Sequence, residues 1–308
     1  MDSHHYLICG ITISFPWEMA MFPVSSKVPD VYVKLGQALP PAEKNVKFKG
    51  PYCLAAPHHV FFHLENIARF SVLNGTEIMV EILGEQDIET LNIFLLNSCL
   101  GVLLTQRNKL VLHAAALERN GRIVAFSGGA GCGKSTLSGL LLKSGARILT
   151  DNIATIEIQE RTGARVFPSF PFIHLWHSAI EKVELEARKT QKLRPNLNKY
   201  ALSIEDQFCA EPSPLHTLCI LSPWNKSELH CEEISGIERI TYLSHASFRL
   251  KITRGMEMDR QHFQHISALS QTIKLVKLSY PHDWNLNEQL VTFVNGNLFE
   301  SLTESSAL

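Results

Sequence analysis

Apolar and polar residues alternate with a period of two through much of the first third of the chain. Residues 6–13 (YLICGITI) read as an opening strand. Phe61 to Leu73 and Thr76 to Leu83 read as two more, joined by Asn74-Gly75, a pair suited to the positive φ of a tight hairpin turn. Between them Pro16, Pro23, Pro29, Pro40, Pro41, Pro51 and Pro57 punctuate the pattern, so short strands and turns are expected. Residues 1–86 are therefore predicted to form a small β-rich region. A different pattern follows. Leu91 to Thr105 (LNIFLLNSCLGVLLT) is apolar on every face, which predicts a buried helix with Asp87 as N-cap and an end near Arg107. The run carries two Asn and a Ser and is too short to span a bilayer.

From residue 87 to 308 strand and helix patterns alternate, which predicts an α/β domain. Leu110 to Arg119 and Arg122 to Ser127 form a hairpin around Asn120-Gly121, so the sheet is mixed. Pairing Arg119 with Arg122 sets His113 opposite Gly128. Ser135 to Lys143 reads as a helix, Ala146 to Thr150, Ala154 to Gln159 and Leu215 to Leu221 as strands. Arg239 to Ser247 and His262 to Ser270 read as helices, and Thr272 to Leu278 as a late strand. The last 20 residues look helical, then frayed. The polar stretch Lys192 to Lys199 reads as a loop.

The chemistry concentrates at one junction. Gly128-Gly129-Ala130-Gly131-Cys132-Gly133-Lys134-Ser135, followed by Thr136, fits G-x-x-x-x-G-K-[ST] and lies between a strand and a helix. Glycines let the backbone wrap a phosphate, and the helix offers its positive end. Lys134 is expected at the β- and γ-phosphates of ATP, and Ser135 on Mg²⁺. Asp151 lies 17 residues after Lys134, at the C-terminal end of the next strand, where an open sheet gathers its ligand contacts. It is expected to hold Mg²⁺ or to accept the proton of an attacking hydroxyl; its bland alternative is a turn residue in Thr-Asp-Asn. His113 is expected to support Asp151 or the phosphate, or else to be a packed strand histidine. The Cys132 thiol is expected near the phosphates, where alkylation would block nucleotide.

Composition narrows the choice of partners. The 308 residues carry a net charge of −1, which points to no nucleic-acid partner and no polybasic membrane contact. Seven scattered cysteines without a CxxC pair suggest reduced thiols and a cytoplasmic setting, and no secretory signal is expected. Fourteen histidines show no zinc spacing; His59 and His63 are four apart on a strand, a spacing that suits a helix.

At these residues the chain resembles the kinase domain of HPr kinase/phosphorylase. That family has a histidine 15 residues before the first P-loop glycine, as His113 stands to Gly128. It also has Arg-apolar-apolar-x-Asp-Asp after the P-loop helix, which corresponds to Arg147 through Asn152. The resemblance implies a P-loop kinase core of HPr-kinase type, with Asp151 as base; the second aspartate is replaced by Asn152. A divergent branch is closer still. It shares an opening like Tyr6 to Ile13, Leu112 to Ala115, Leu175-Trp176, Pro214-Leu215 and Tyr280-Pro281. One group of that branch phosphorylates the C-terminal serine of lasso-peptide precursors, which implies a precursor-peptide substrate here. Arg194, Lys199 and Trp176 are then candidates for substrate or phosphate contact. A second copy of the chain is a further candidate partner, in a homo-oligomer. The alternatives are a kinase of a sugar or other metabolite, using the same residues, and a nucleotide-sensing regulator that transfers nothing.

Overall fold

The structure, a computed structural model, describes residues 3–19, 22–84, 88–159, 163–185, 190–194, 197–282 and 287–300, with side chains left undescribed at 190–194, 197 and 287. Statements of number and absence below refer to the described residues. The Asp87 cap and the frayed end at 301–308 lie outside them.

The first eight strands are β1 (His4–Ile8), β2 (Ile11–Phe15), β3 (Val31–Leu35), β4 (Phe48–Gly50), β5 (Cys53–Ala56), β6 (His59–Leu64), β7 (Ala68–Leu73) and β8 (Glu77–Ile82). They form one sheet in the order β1-β2-β3-β8-β7-β6-β5-β4. The opening strand expected over 6–13 is instead a hairpin. Cys9 and Gly10 take φ of 53° and 78°, which reverses the chain and pairs Ile8 with Ile11. Phe61 to Leu73 likewise splits into β6 and β7 at a turn where Asn66 has φ 58°. Both turns were hidden because apolar residues flank them closely. Asn74-Gly75 makes its hairpin as expected, with Leu73 opposite Glu77.

The apolar segment forms a helix, Ile88–Gln106, with a π-helical stretch at Leu95–Cys99. At 19 residues and a mean hydropathy of 1.6 it is long and apolar enough to cross a membrane, so the shorter estimate from Leu91 to Thr105 does not hold. The expectation of a buried helix does hold. Leu91, Leu95, Leu100, Leu103 and Leu104 are no more than 1% exposed, and they share one core with Val60, Phe62, Phe70 and Val80 of the first sheet.

The remaining strands are β9 (Leu110–Leu112), β10 (Ala114–Arg119), β11 (Arg122–Gly128), β12 (Arg147–Thr150), β13 (Ala154–Gln159), β14 (Gly163–Phe167), β15 (Phe172–Trp176), β16 (Thr190–Arg194), β17 (Leu197–Ser203), β18 (Ser213–Trp224), β19 (His230–Glu233) and β20 (Lys274–Pro281). Nine of them make a mixed sheet, ordered β12-β10-β11-β18-β14-β13-β9, with β20 beside β18 and β19 beside β20. β11, β18 and β20 run parallel, while β10 is antiparallel to β11. The α/β class with a mixed sheet and a β-rich N-terminal region is thus what the chain adopts.

Alternating side chains cover both faces of this sheet. Val124 and Phe126 pack with Leu137 and Leu141 of the helix Lys134–Lys143 and with Phe299. Ile123 and Ala125 pack with Leu243 and Leu269 of helices Glu238–Ala246 and Asp259–Thr272. Strand β15 starts a third sheet, β15-β17-β16. The loop expected over Lys192 to Lys199 is therefore mostly strand. β17 gains hydrogen bonds from β15, with Trp176 opposite Lys199, and this tertiary pairing overrides a polar local composition.

One close approach joins the two halves. Gly101 lies so tightly under the Phe248 ring that a Cβ there would overlap it. Gly101→Ala gains about 1 kcal/mol of helix propensity, yet overpacking should outweigh it and cost about 1–3 kcal/mol. Urea denaturation of the full chain measures this; a stabilised variant would show that Phe248 yields.

Candidate active site

The site is assembled where β11, β18 and β20 reach their C-terminal ends. β11 runs out at Gly128, and the chain turns through Gly131 (φ 77°) and Gly133 (φ 84°) into the helix that begins at Lys134. Only glycine holds those angles without strain. The helix has no side-chain N-cap, so no N-cap side chain satisfies its first N–H groups. A Cβ at Gly129 or Gly131 would meet nothing within 4 Å, so the loop borders open space. That space is a cavity of about 390 Å³, lined by Gly129, Ala130, Gly131, Gly133, Ser135 and Thr136, with Trp176, Lys182 and Lys199 across it.

The loop is braced from below. Tyr280, at the end of β20, donates its buried hydroxyl to the carbonyl of Cys132. Cys132 is 7% exposed and packs into the apolar cluster beneath the loop. Cys132 still belongs to the cavity lining, but its low exposure and apolar packing leave the thiol little open surface. Gly128 is tight for the same reason: a Cβ there would lie 2.8 Å from the Cys132 sulfur and from the Leu221 carbonyl.

Lys134 is 8% exposed, and no carboxylate lies within 4 Å of its ammonium among the described residues. Its neighbour is the Nε2 of His113 at 3.0 Å. Burial pushes the Lys134 ammonium below its ordinary range; Asp151 opposes that shift and Lys199 adds to it. For His113, burial first and the Lys134 charge second pull the imidazole down to about 4. The ring is thus neutral at pH 7, accepts from the ammonium through Nε2, and carries its proton on Nδ1.

His113 reaches Lys134 because the expected continuous strand breaks there. β9 pairs with β13, β10 pairs with β11 and β12, and His113 sits at the transfer between them. Its N–H donates to Ala246 at 2.7 Å, and its carbonyl accepts from Ser127 at 2.9 Å. The expected register holds up to Ala114 opposite Ser127.

Asp151 follows β12 and is 0% exposed. Its Oδ2 accepts from the His174 backbone N–H at 3.0 Å, and the His174 Nδ1 lies 3.5 Å from the same oxygen. Its Oδ1 has no hydrogen-bond partner. Burial pushes this carboxyl up, but the hydrogen bonds and charge of His174, together with the Lys134 ammonium, outweigh burial and hold it below the usual carboxylate range. Asn152 turns the other way and lines the cavity, with its amide 3.1 Å from His174 Nδ1. With a proton on Nδ1 the ring serves Asp151; without it, the ring accepts from Asn152.

Of the residues expected at the site, the loop, Lys134, Ser135 and His113 line one cavity; Asp151 lies behind its wall, fully buried, and acts on Lys134 and His113 through its charge. Trp176, at 51% exposure, and Lys199 also face the cavity, with the Lys199 ammonium 6.0 Å from the indole centre. The backbone of Arg194 pairs with Leu197 in the third sheet, and its side chain lies outside the described residues. His174 and Tyr280 take roles that no local pattern assigns them, since they lie 23 and 148 residues from their partners.

No protein-family model matches the chain, and no curated protein does. Among solved structures the chain is similar to the Hpr(Ser) kinase/phosphatase from Coxiella burnetii, at 14% sequence identity and a TM-score of 0.31, with 60% of this chain and 94% of that chain covered.

The charge arrangement has a measurable consequence. The folded His113 value lies below the ordinary 6.5, so the stability its neutral form contributes is complete above pH 6.5 and is lost as the pH falls toward 4. An NMR titration of the imidazole should give a midpoint of about 4, and Lys134→Met should raise it. An ordinary midpoint in the unmutated chain would contradict this geometry.

Proposed function

We propose that the chain is an ATP-dependent kinase that phosphorylates a hydroxyl, with the C-terminal serine of a ribosomal lasso-peptide precursor as the preferred substrate. The observation that carries the reading is Lys134: a buried ammonium, set against the glycine loop, that no carboxylate neutralises among the described residues. Burying a cation is costly unless it is paired, so the site calls for a polyanion. Lys199 across the cavity adds to the positive field.

The residues also suit Mg²⁺. Ser135 faces the cavity and would hold the ion, while the one unpartnered oxygen of buried Asp151 is left for the proton. When bound, the ion supplies charge neutralisation of the polyphosphate. The chain does the rest. The loop amides and Lys134 hold the phosphates in line. The hydroxyl oxygen forms a bond to the γ-phosphorus as the bond to the β,γ-bridging oxygen breaks, and ADP leaves with that electron pair. Asp151 Oδ1 takes the hydroxyl proton. His174 fixes the carboxylate through its N–H, and neutral His113 leaves the Lys134 charge free for phosphate. The peptide substrate rests on the resemblance given above. The exposed Trp176 beside Lys199 suits an apolar residue next to a carboxylate.

One observation favours a nucleotide-sensing protein without transfer. Asp151 has no exposed surface, while Asn152 takes the cavity wall.

Incubation with ATP, Mg²⁺ and peptides ending in serine should add one phosphate mass. Asp151→Asn is expected to lower kcat about 10²–10⁴-fold with ATP still bound. Lys134→Ala should weaken nucleotide binding as well as turnover. ATP binding without transfer to any hydroxyl would leave the sensing role, and full turnover by Asp151→Asn would remove the base.

A further inference from the structure

A second cavity shares no lining residue with the candidate nucleotide site. Its volume is about 680 Å³, within the range of small-ligand sites. It opens where the β4 edge of the N-terminal sheet meets the segment Ser244 to Arg254. Phe48, Phe62 and Phe94 line it, with Tyr52 at the rim, 65% exposed.

The polar side of the cavity carries one sign of charge. Arg249 and Lys251 line it, no Asp or Glu does, and neither cation has an ion-pair partner among the described residues. Arg254 is also present but is engaged by Asp259 at 3.5 Å. Arg249 is held in place. Its Nη2 donates to Ser98 Oγ at 2.7 Å, and its guanidinium carbon lies 6.0 Å from the centre of Phe62 and 5.5 Å from that of Phe248. Its backbone takes φ 46°, a conformation that costs a non-glycine residue about 1–2 kcal/mol. Arg249 is exposed, yet two rings and a hydroxyl orient its guanidinium. Of its five N–H donors one is used in that bond, and the planar fork matches a carboxylate. Charge and shape therefore ask for an anion attached to a hydrocarbon body.

We propose that this cavity binds an apolar organic carboxylate, its carboxylate held by the Arg249 fork and its body laid on Phe48, Phe62 and Phe94. The ligand comes either free or as the C-terminal residue of a peptide, since both present the same group. The site is independent of the kinase reading.

The test titrates the full chain by calorimetry with 4-phenylbutyrate and with its neutral amide. The acid should bind at least about tenfold tighter than the amide, the scale of a charge-assisted hydrogen-bonded pair. Arg249→Gln should abolish that preference. Tyr52→Ala, at the exposed rim, should weaken acid and amide alike, and it keeps the test open if Arg249→Gln fails to fold. Acetyl-Gly-Phe with a free carboxylate, set against its C-terminal amide, shows whether a peptide end is accepted. The proposal is overturned if acid and amide bind equally, if the preference survives Arg249→Gln, or if none of these ligands binds at millimolar concentration.

Discussion

The arrangement around Lys134 sets the terms for the whole site. A buried ammonium is tolerated only if something nearby offers a lone pair or a negative charge, and here both are offered in measured amounts. His113 gives a neutral nitrogen at 3.0 Å, and Asp151 gives a carboxylate whose ionisation Lys134 helps to maintain. Neither closes an ion pair with the lysine. The charge is therefore stabilised enough to fold and still unsatisfied enough to attract an anion, and the electrostatic field is in place before any ligand arrives.

Several distant segments serve that arrangement. The break between β9 and β10 delivers His113, the turn after β12 delivers Asp151, and the main chain of β15 donates to its oxygen. Near the end of β20, Tyr280 holds the underside of the loop. These strands pack against one another through alternating apolar residues, so the positions of the polar groups are fixed by the core.

The N-terminal sheet shares a core with residues of the elements around the site. Its core includes the helix Ile88–Gln106, and Gly101 of that helix receives the ring of Phe248. The same ring meets His113 edge-on at 6.5 Å, and the Phe248 N–H donates to Val111. A continuous run of packed side chains thus leads from the β-rich region to the neighbour of Lys134. Neighbouring Arg249 acts on the same histidine through its charge, adding to the depression of the imidazole.

The chain's own order of residues carried the local features. The phosphate loop, the helix after it, the Asn120-Gly121 and Asn74-Gly75 turns and the buried apolar helix all follow from interactions within a few residues, where backbone sterics and hydrophobic period decide. Tertiary structure decided what depends on partners far along the chain. It made strands of residues 190–194 and 197–203 by pairing them with each other and with β15, split the strand at His113 between two sheet wings, and packed Cys132 on the core. It also chose Asn152 rather than Asp151 for the cavity wall, and gave His174 and Tyr280 their roles. A residue's neighbours at 3 Å are set by how layers pack, and nothing in a linear pattern of residue types encodes which distant backbone N–H or carbonyl will be waiting there.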